Sequence, residues 1–165
     1  MKIISIDPGY DRVGIAIMEK ISGKEQVVFS ECFQTNKKLT ISERIFSIGQ
    51  RLTELINKYK PELFAIENLF FQNNQKTAMG VAEARGVIIY TAGLAKIPVA
   101  EFTPLQIKAA VTGYGKATKQ EVFRMVGMIL KLEDRKYIDD EIDAIAVGVT
   151  AFAHLPSLRI HKKKV

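Results

Sequence analysis

The stretch I3-I-S-I-D-P-G-Y-D-R-V-G-I-A16 decides how this chain is read. Ile3 to Ile6 is a short apolar run, Pro8 and Gly9 stop it, and Val13 to Ile17 answers it with a second run. Apolar runs separated by a Pro-Gly break read as two strands and a turn. Asp7 then stands at the carboxyl end of a buried strand. An ionised side chain is costly there unless a partner compensates it. A turn-forming Asp is one reading, since an Asp before Pro-Gly needs no other role. The other is that further groups converge on it.

Composition narrows the field. The 165 residues fit one domain, and 47% hydrophobic residues predict a packed core rather than disorder. A net charge of +6 and a pI near 9.4 point to a polyanionic partner, nucleic acid being the obvious class. The single Cys32 rules out an internal disulfide and favours a reducing, cytoplasmic setting, with the thiol expected as a small apolar packing group. Asp7, Pro8, Asp11 and Arg12 interrupt the first apolar run too early for a secretory leader, and no uninterrupted apolar run reaches membrane-spanning length.

Beyond the opening hairpin, a third strand is expected over residues 26–33, after the Ser22-Gly23-Lys24 turn. Residues 40–59 carry Ile45, Ile48, Leu52, Leu55 and Ile56 at helical spacing, with Thr40 or Ser42 as the cap and Pro61 as the stop. L63-F-A-I-E67 reads as a strand covered on both faces. Residues 75–95 form a helix rich in small residues, suited to internal packing or to a dimer contact. A strand at 97–102 and helices at 104–112, 119–130 and 139–154 follow. This order predicts an α/β domain over residues 1–157, a mixed sheet with helices on both faces, and a basic tail at 158–165.

Glu67 ends the strand after Asp7's, and ligand sites in such sheets lie at the carboxyl ends of parallel strands. The run I138-D-D-E-I-D-A-I-A-V147 supplies more acid. On a helix either Asp140 or Asp139 shares a face with Asp143, while Ile138, Ile142, Ile145 and Val149 are expected to anchor the other face. Carboxylates gathered in one pocket repel one another, and a divalent cation removes the conflict. Oxygen ligands without a Cys or His cluster suit Mg²⁺, with Mn²⁺ able to substitute. Two such ions promote phosphodiester hydrolysis. Phe70 and Phe71 stand in an Asn/Gln-rich segment where an exposed ring could stack on a base. Lys108, Lys116 and Lys119 flank the turn G113-Y-G115 and are candidate phosphate contacts. His154 and His161 read as surface residues.

These motifs together resemble the RuvC Holliday-junction resolvases. I6-D-P-G9, F64-A-I-E67, A82-E-A-R-G86, Q106-I-K108, V111-T-G-Y-G115 and D140-E-I-D-A-I-A146 occur in the family's order and spacing across almost the whole chain. The resemblance implies a ribonuclease H-like fold with a five-stranded mixed sheet, a homodimer, and cleavage of four-way DNA junctions with two metal ions per site. It puts the catalytic, metal-binding acids at Asp7, Glu67, Asp140 and Asp143, choosing Asp140 over Asp139. It places the stacking aromatic at Phe70, with the adjacent Phe71 a departure from the pattern, and sets Lys108 and Lys119 against the DNA. A RuvA–RuvB-type branch-migration complex is the implied partner. The alternatives are a nuclease for another branched or RNA-containing substrate, a junction binder without catalysis, and an actin-like or sugar-kinase-like ATPase. Such ATPases are usually longer.

Overall fold

The computed structural model describes residues 1–68, 75–130, 132 and 135–158. Five strands, β1 (Lys2–Asp7), β2 (Arg12–Ile21), β3 (Lys24–Gln34), β4 (Leu63–Glu67) and β5 (Val99–Phe102), form one sheet in the order β3-β2-β1-β4-β5. β1, β2 and β3 are antiparallel neighbours, while β4 and β5 run parallel to β1. Helices α1 (Ile41–Tyr59), α2 (Gln75–Leu94), α3 (Pro104–Thr112), α4 (Lys119–Leu130) and α5 (Asp139–Leu158) complete the domain.

The apolar runs of β1 and β4 do not alternate with polar residues because both faces of the sheet are covered. Ile4, Ile6, Phe64 and Ile66 pack with Ile48, Leu52 and Leu55 of α1 and Ala84 and Ile88 of α2. Ile3, Leu63 and Ala65 pack on the other face with α3, α4 and α5. Fully burying an Ile or Phe contributes roughly 1.5–3 kcal/mol, so these two layers hold the sheet. The period of two then places Asp7 on the α5 side with Ile3 and Ser5, and Glu67 on the same side with Leu63 and Ala65. Ile6 is paired with Ile66 across parallel β1 and β4. Asp7 and Glu67 each come one residue later, so the two carboxyls leave adjacent strand ends toward one helix layer.

Local signals fix the boundaries. Thr40 caps α1 by a reciprocal box with Glu43, and Lys60 ends it in the left-handed region at φ 51° before Pro61. The same device recurs as Thr103 with Gln106 on α3 and Thr118 with Glu121 on α4. Gly148 lets α5 lie close on the sheet: a Cβ there would come within 2.3 Å of Met18 Sδ. Ile142, Ile145 and Val149 are buried as expected, but Ile138 is 38% exposed. It precedes the first turn of α5, where its carbonyl accepts from the Glu141 and Ile142 amides, so it has left the helix face that its spacing suggested.

Candidate active site

Asp7 is the centre of the acid cluster. Burial pushes its carboxyl well above the usual carboxylate range, and Glu67, Asp143 and Asp140 push it further in that order. Glu67 is raised from 4.5 to about 7, by burial first and then by Asp143. Asp143 is also raised, by burial, with Lys119 pulling the other way and Asp140 and Asp139 adding to the rise. The four acids selected from the sequence therefore share one electrostatic neighbourhood. Asp139 is instead mostly exposed and meets Lys119 at 3.7 Å.

Two cations enter that cluster. Lys119 Nζ, in the first turn of α4, lies 2.8 Å from Asp143 Oδ2. Arg12 Nη2, at the start of β2, lies 3.3 Å from Asp140 Oδ2. Lys108 and Lys119 line a recess of about 230 Å³ with Glu67 and Asp143, walled by Pro104, Ile107, Val122 and Ala146. Lys108 lowers the Glu67 carboxyl, after Lys119. Lys116 is exposed on the turn joining α3 and α4. Phe70, Phe71 and residues 159–165, His161 included, lie outside the described residues.

Several residues that build the site are not conspicuous in the sequence. Gly14 pairs with Asp7 across β1 and β2, and a Cβ there would stand 1.8 Å from the Asp140 backbone oxygen and 3.1 Å from the Asp7 Cβ. Only glycine admits the first turn of α5 so close to β2. Glu141, almost fully buried, accepts from Ser30 Oγ of β3 at 2.6 Å and pairs with Arg135, whose guanidinium stacks 3.8 Å from the Tyr137 ring. That pins the start of α5 to the sheet edge. Buried Arg44 donates from Nε to Thr35 Oγ1 at 2.9 Å and pairs with Asp11, fixing the loop between Asp7 and Arg12. Cys32 is half-buried, and its Sγ lies 3.8 Å from Asp140 Oδ2, so it belongs to the site rather than to the apolar packing expected of it. His154 is half-buried rather than on the surface: its ring meets Phe102 in a tilted contact with centroids 5.4 Å apart, and its Nδ1 lies 2.9 Å from the Thr150 carbonyl.

The donor chemistry fits a hard divalent cation. All four acids offer oxygen, and three carry raised carboxyls that a cation would relieve. The one sulfur nearby stays protonated, since burial and then the Asp140 charge push the Cys32 thiol up to about 11, which disfavours a thiolate metal. Among the described residues, no three such side chains are gathered into a ready metal cage. Two of the four carboxylates are held by Arg12 and Lys119 instead.

A mixed sheet of this strand order, with acids on two adjacent parallel strand ends and on the helix crossing them, defines a ribonuclease H-like α/β domain. The family model for crossover junction endodeoxyribonuclease RuvC matches residues 3–151. The crossover junction endodeoxyribonuclease RuvC of Moorella thermoacetica is 41% identical over 156 residues, covering 94% of this chain and 93% of its own. That of Petrotoga mobilis is 42% identical over 154 residues, covering 93% of each chain. The solved structure of Thermus thermophilus RuvC in complex with a Holliday junction substrate superposes with a TM-score of 0.87 at 31% identity, over 95% of this chain and 97% of that one. The chain belongs to the RuvC family.

Proposed function

We propose that this protein resolves four-way DNA junctions by nicking two strands symmetrically, in recombination and DNA repair. The observation that carries the reading is the convergence of Asp7 and Glu67, from paired parallel strands, on Asp140 and Asp143 of α5. Asp7, Glu67, Asp140 and Asp143 would hold two divalent cations, Mg²⁺ by the hard oxygen donors, with Mn²⁺ able to replace it. When bound, such a pair supplies an activated water and neutralises the charge on the departing oxygen. The protein's own part is to place the phosphate. Lys108 and Lys119 rim the recess that contains Glu67 and Asp143 and hold a strand there by charge, and Lys116 extends the basic edge. Phe70 or Phe71 would stack on a junction base. Phosphate contacts position the DNA without reading sequence, so binding weakens steeply with salt. The products carry a 5′-phosphate and a ligatable 3′-hydroxyl.

Paired nicks call for two sites related by a two-fold axis, hence a homodimer. The face supporting this reading lies away from the acids, where α1 and α2 leave an apolar recess of about 1000 Å³. Phe46, Tyr90 and Leu94 on its walls are 65%, 65% and 67% exposed, a cluster that a lone domain rarely leaves in water. Gly86 lines it with open space above, so the small residues of α2 serve this face as well as the contact with Tyr10 at Gly80. Among the described residues, no helix is long and apolar enough to cross a membrane. A cytoplasmic enzyme working beside a RuvA–RuvB-type branch-migration complex completes the proposal.

The test is incubation with a synthetic four-way junction, a linear duplex and an RNA–DNA hybrid, each with Mg²⁺ or EDTA. Mg²⁺-dependent paired nicks confined to the junction are expected. Junction binding without nicking would make the protein a binder, and preferential cutting of the hybrid would redirect the substrate.

A further inference from the structure

Asp140 is held from the sheet by two side chains, the Arg12 guanidinium at 3.3 Å and the Cys32 thiol at 3.8 Å. Lys119 makes the corresponding contact with Asp143 at 2.8 Å. One oxygen on each of Asp140 and Asp143 is therefore already engaged by a cationic side chain. The two cations differ in setting. Lys119 lies in the recess and acts on Asp7, Glu67 and Asp143, whereas Asp140 is the only carboxylate paired with Arg12 among the described residues. The Arg12 backbone is fixed: the neighbouring Asp11 carbonyl accepts from Thr35 at 3.0 Å, and Gly14 is locked under the Asp140 backbone. The side chain is 53% exposed while its partner Asp140 is 18% exposed, so the guanidinium meets the carboxylate from the solvent side.

We propose that Arg12 is an internal counter-ion that competes with the divalent cation for Asp140 and, once displaced, binds a phosphate of the strand entering the site. The inference rests on the acid cluster being a metal site. A doubly charged ion on Asp140 both takes the oxygen and repels the guanidinium. The released fork matches a phosphate in a bidentate manner and, from the opening of β2, reaches solvent beside the cluster. Metal loading and DNA binding are thereby coupled, because each removes the obstacle to the other. Were Arg12 a structural brace for Asp140, its loss would loosen the carboxylate and weaken metal binding. Were it a counter-ion, its loss would strengthen metal binding. The two roles differ in sign.

The experiment uses Arg12→Met, which keeps the length and removes the charge, with Arg12→Gln as a second variant should the first fail to fold. Calorimetry with Mg²⁺ alone on the DNA-free protein is expected to show a Kd about two- to fivefold lower than wild type, the range set by a partly exposed ion pair. Junction affinity, measured in Ca²⁺ after confirming that no nicking occurs, is expected to fall about three- to tenfold, with the salt dependence reduced by about one counter-ion. Unchanged or weaker Mg²⁺ binding overturns the proposal, and so does unchanged junction affinity. A wild-type protein that binds no Mg²⁺ overturns the metal-site reading as well, whereas wild-type binding with an unaltered variant overturns this inference alone.

Discussion

Glu67→Gln isolates the cost of gathering these acids without metal. Burial, then Asp143, raises the Glu67 carboxyl from 4.5 to about 7 in the folded protein. At about 1.4 kcal/mol per tenfold, that rise makes ionised Glu67 cost at most about 3–4 kcal/mol in the metal-free fold. Sharing of the repulsion with Asp143 and residual solvent contact bring the expected figure to about 1–3 kcal/mol. The sign is opposite to that of an ordinary salt-bridged acid. The folded value exceeds the unfolded one, so the cost is absent below pH 4.5, grows between 4.5 and about 7, and is complete above. Urea denaturation in EDTA at pH 8 should therefore find Glu67→Gln more stable than wild type by about 1–3 kcal/mol, with the difference closing near pH 4.5. Saturating Mg²⁺ should reverse the order, because ligand binding stabilises the wild type more. A variant less stable than wild type at pH 8 in EDTA, or a difference that ignores pH, would refute the reasoning.

Asp7→Asn should lose no more junction affinity than the three- to tenfold ascribed to Arg12, while cleavage falls at least a hundredfold, about 2.7 kcal/mol of transition-state stabilisation, measured as single-turnover nicking in Mg²⁺. Gly14→Ala drives a methyl into the Asp140 backbone oxygen, so it should cost about 1–3 kcal/mol in urea unfolding and displace the start of α5, with nicking lost before junction binding. Glu141→Ala removes a buried carboxylate that Arg135 and Ser30 both contact and should destabilise the fold by about 1–3 kcal/mol in the same assay. Phe46→Glu on the face between α1 and α2 should yield monomers by light scattering at micromolar concentration, where dimers are expected of the wild type.

How far the sequence carried depended on whether a signal was periodic or spatial. The sheet was legible because β1 and β4 read as continuous apolar runs and α1 as a clean helical stripe with Thr40 and Pro61 at its ends. Asp7 and Glu67 each end an apolar strand, where ligand sites in such sheets lie, so the centre of the site was readable as well. Asp140 against Asp139 was not, since both share a helical face with Asp143 and only family resemblance separated them. The burial of Asp140 and the exposure of Asp139 give the physical reason. The roles of Gly14, Glu141 and Arg44, and the contact that takes Cys32 out of the apolar packing expected of it, are not legible in the sequence because each acts through a neighbour more than 20 residues away or across a strand pair. Ile138 falls outside the apolar face because it stands one residue before the helix begins at Asp139, where the helical spacing no longer sets its direction.

The claim on which the account depends is that these carboxylates gather a pair of cations. Anomalous scattering from crystals of the junction complex grown with Mn²⁺ tests it most directly. Two peaks about 3.5–4 Å apart, contacted by Asp7, Glu67, Asp140 and Asp143 with Arg12 and Lys119 turned onto phosphate, are the predicted result. Ordered junction DNA with no Mn²⁺ peak within reach of Asp7 would contradict it.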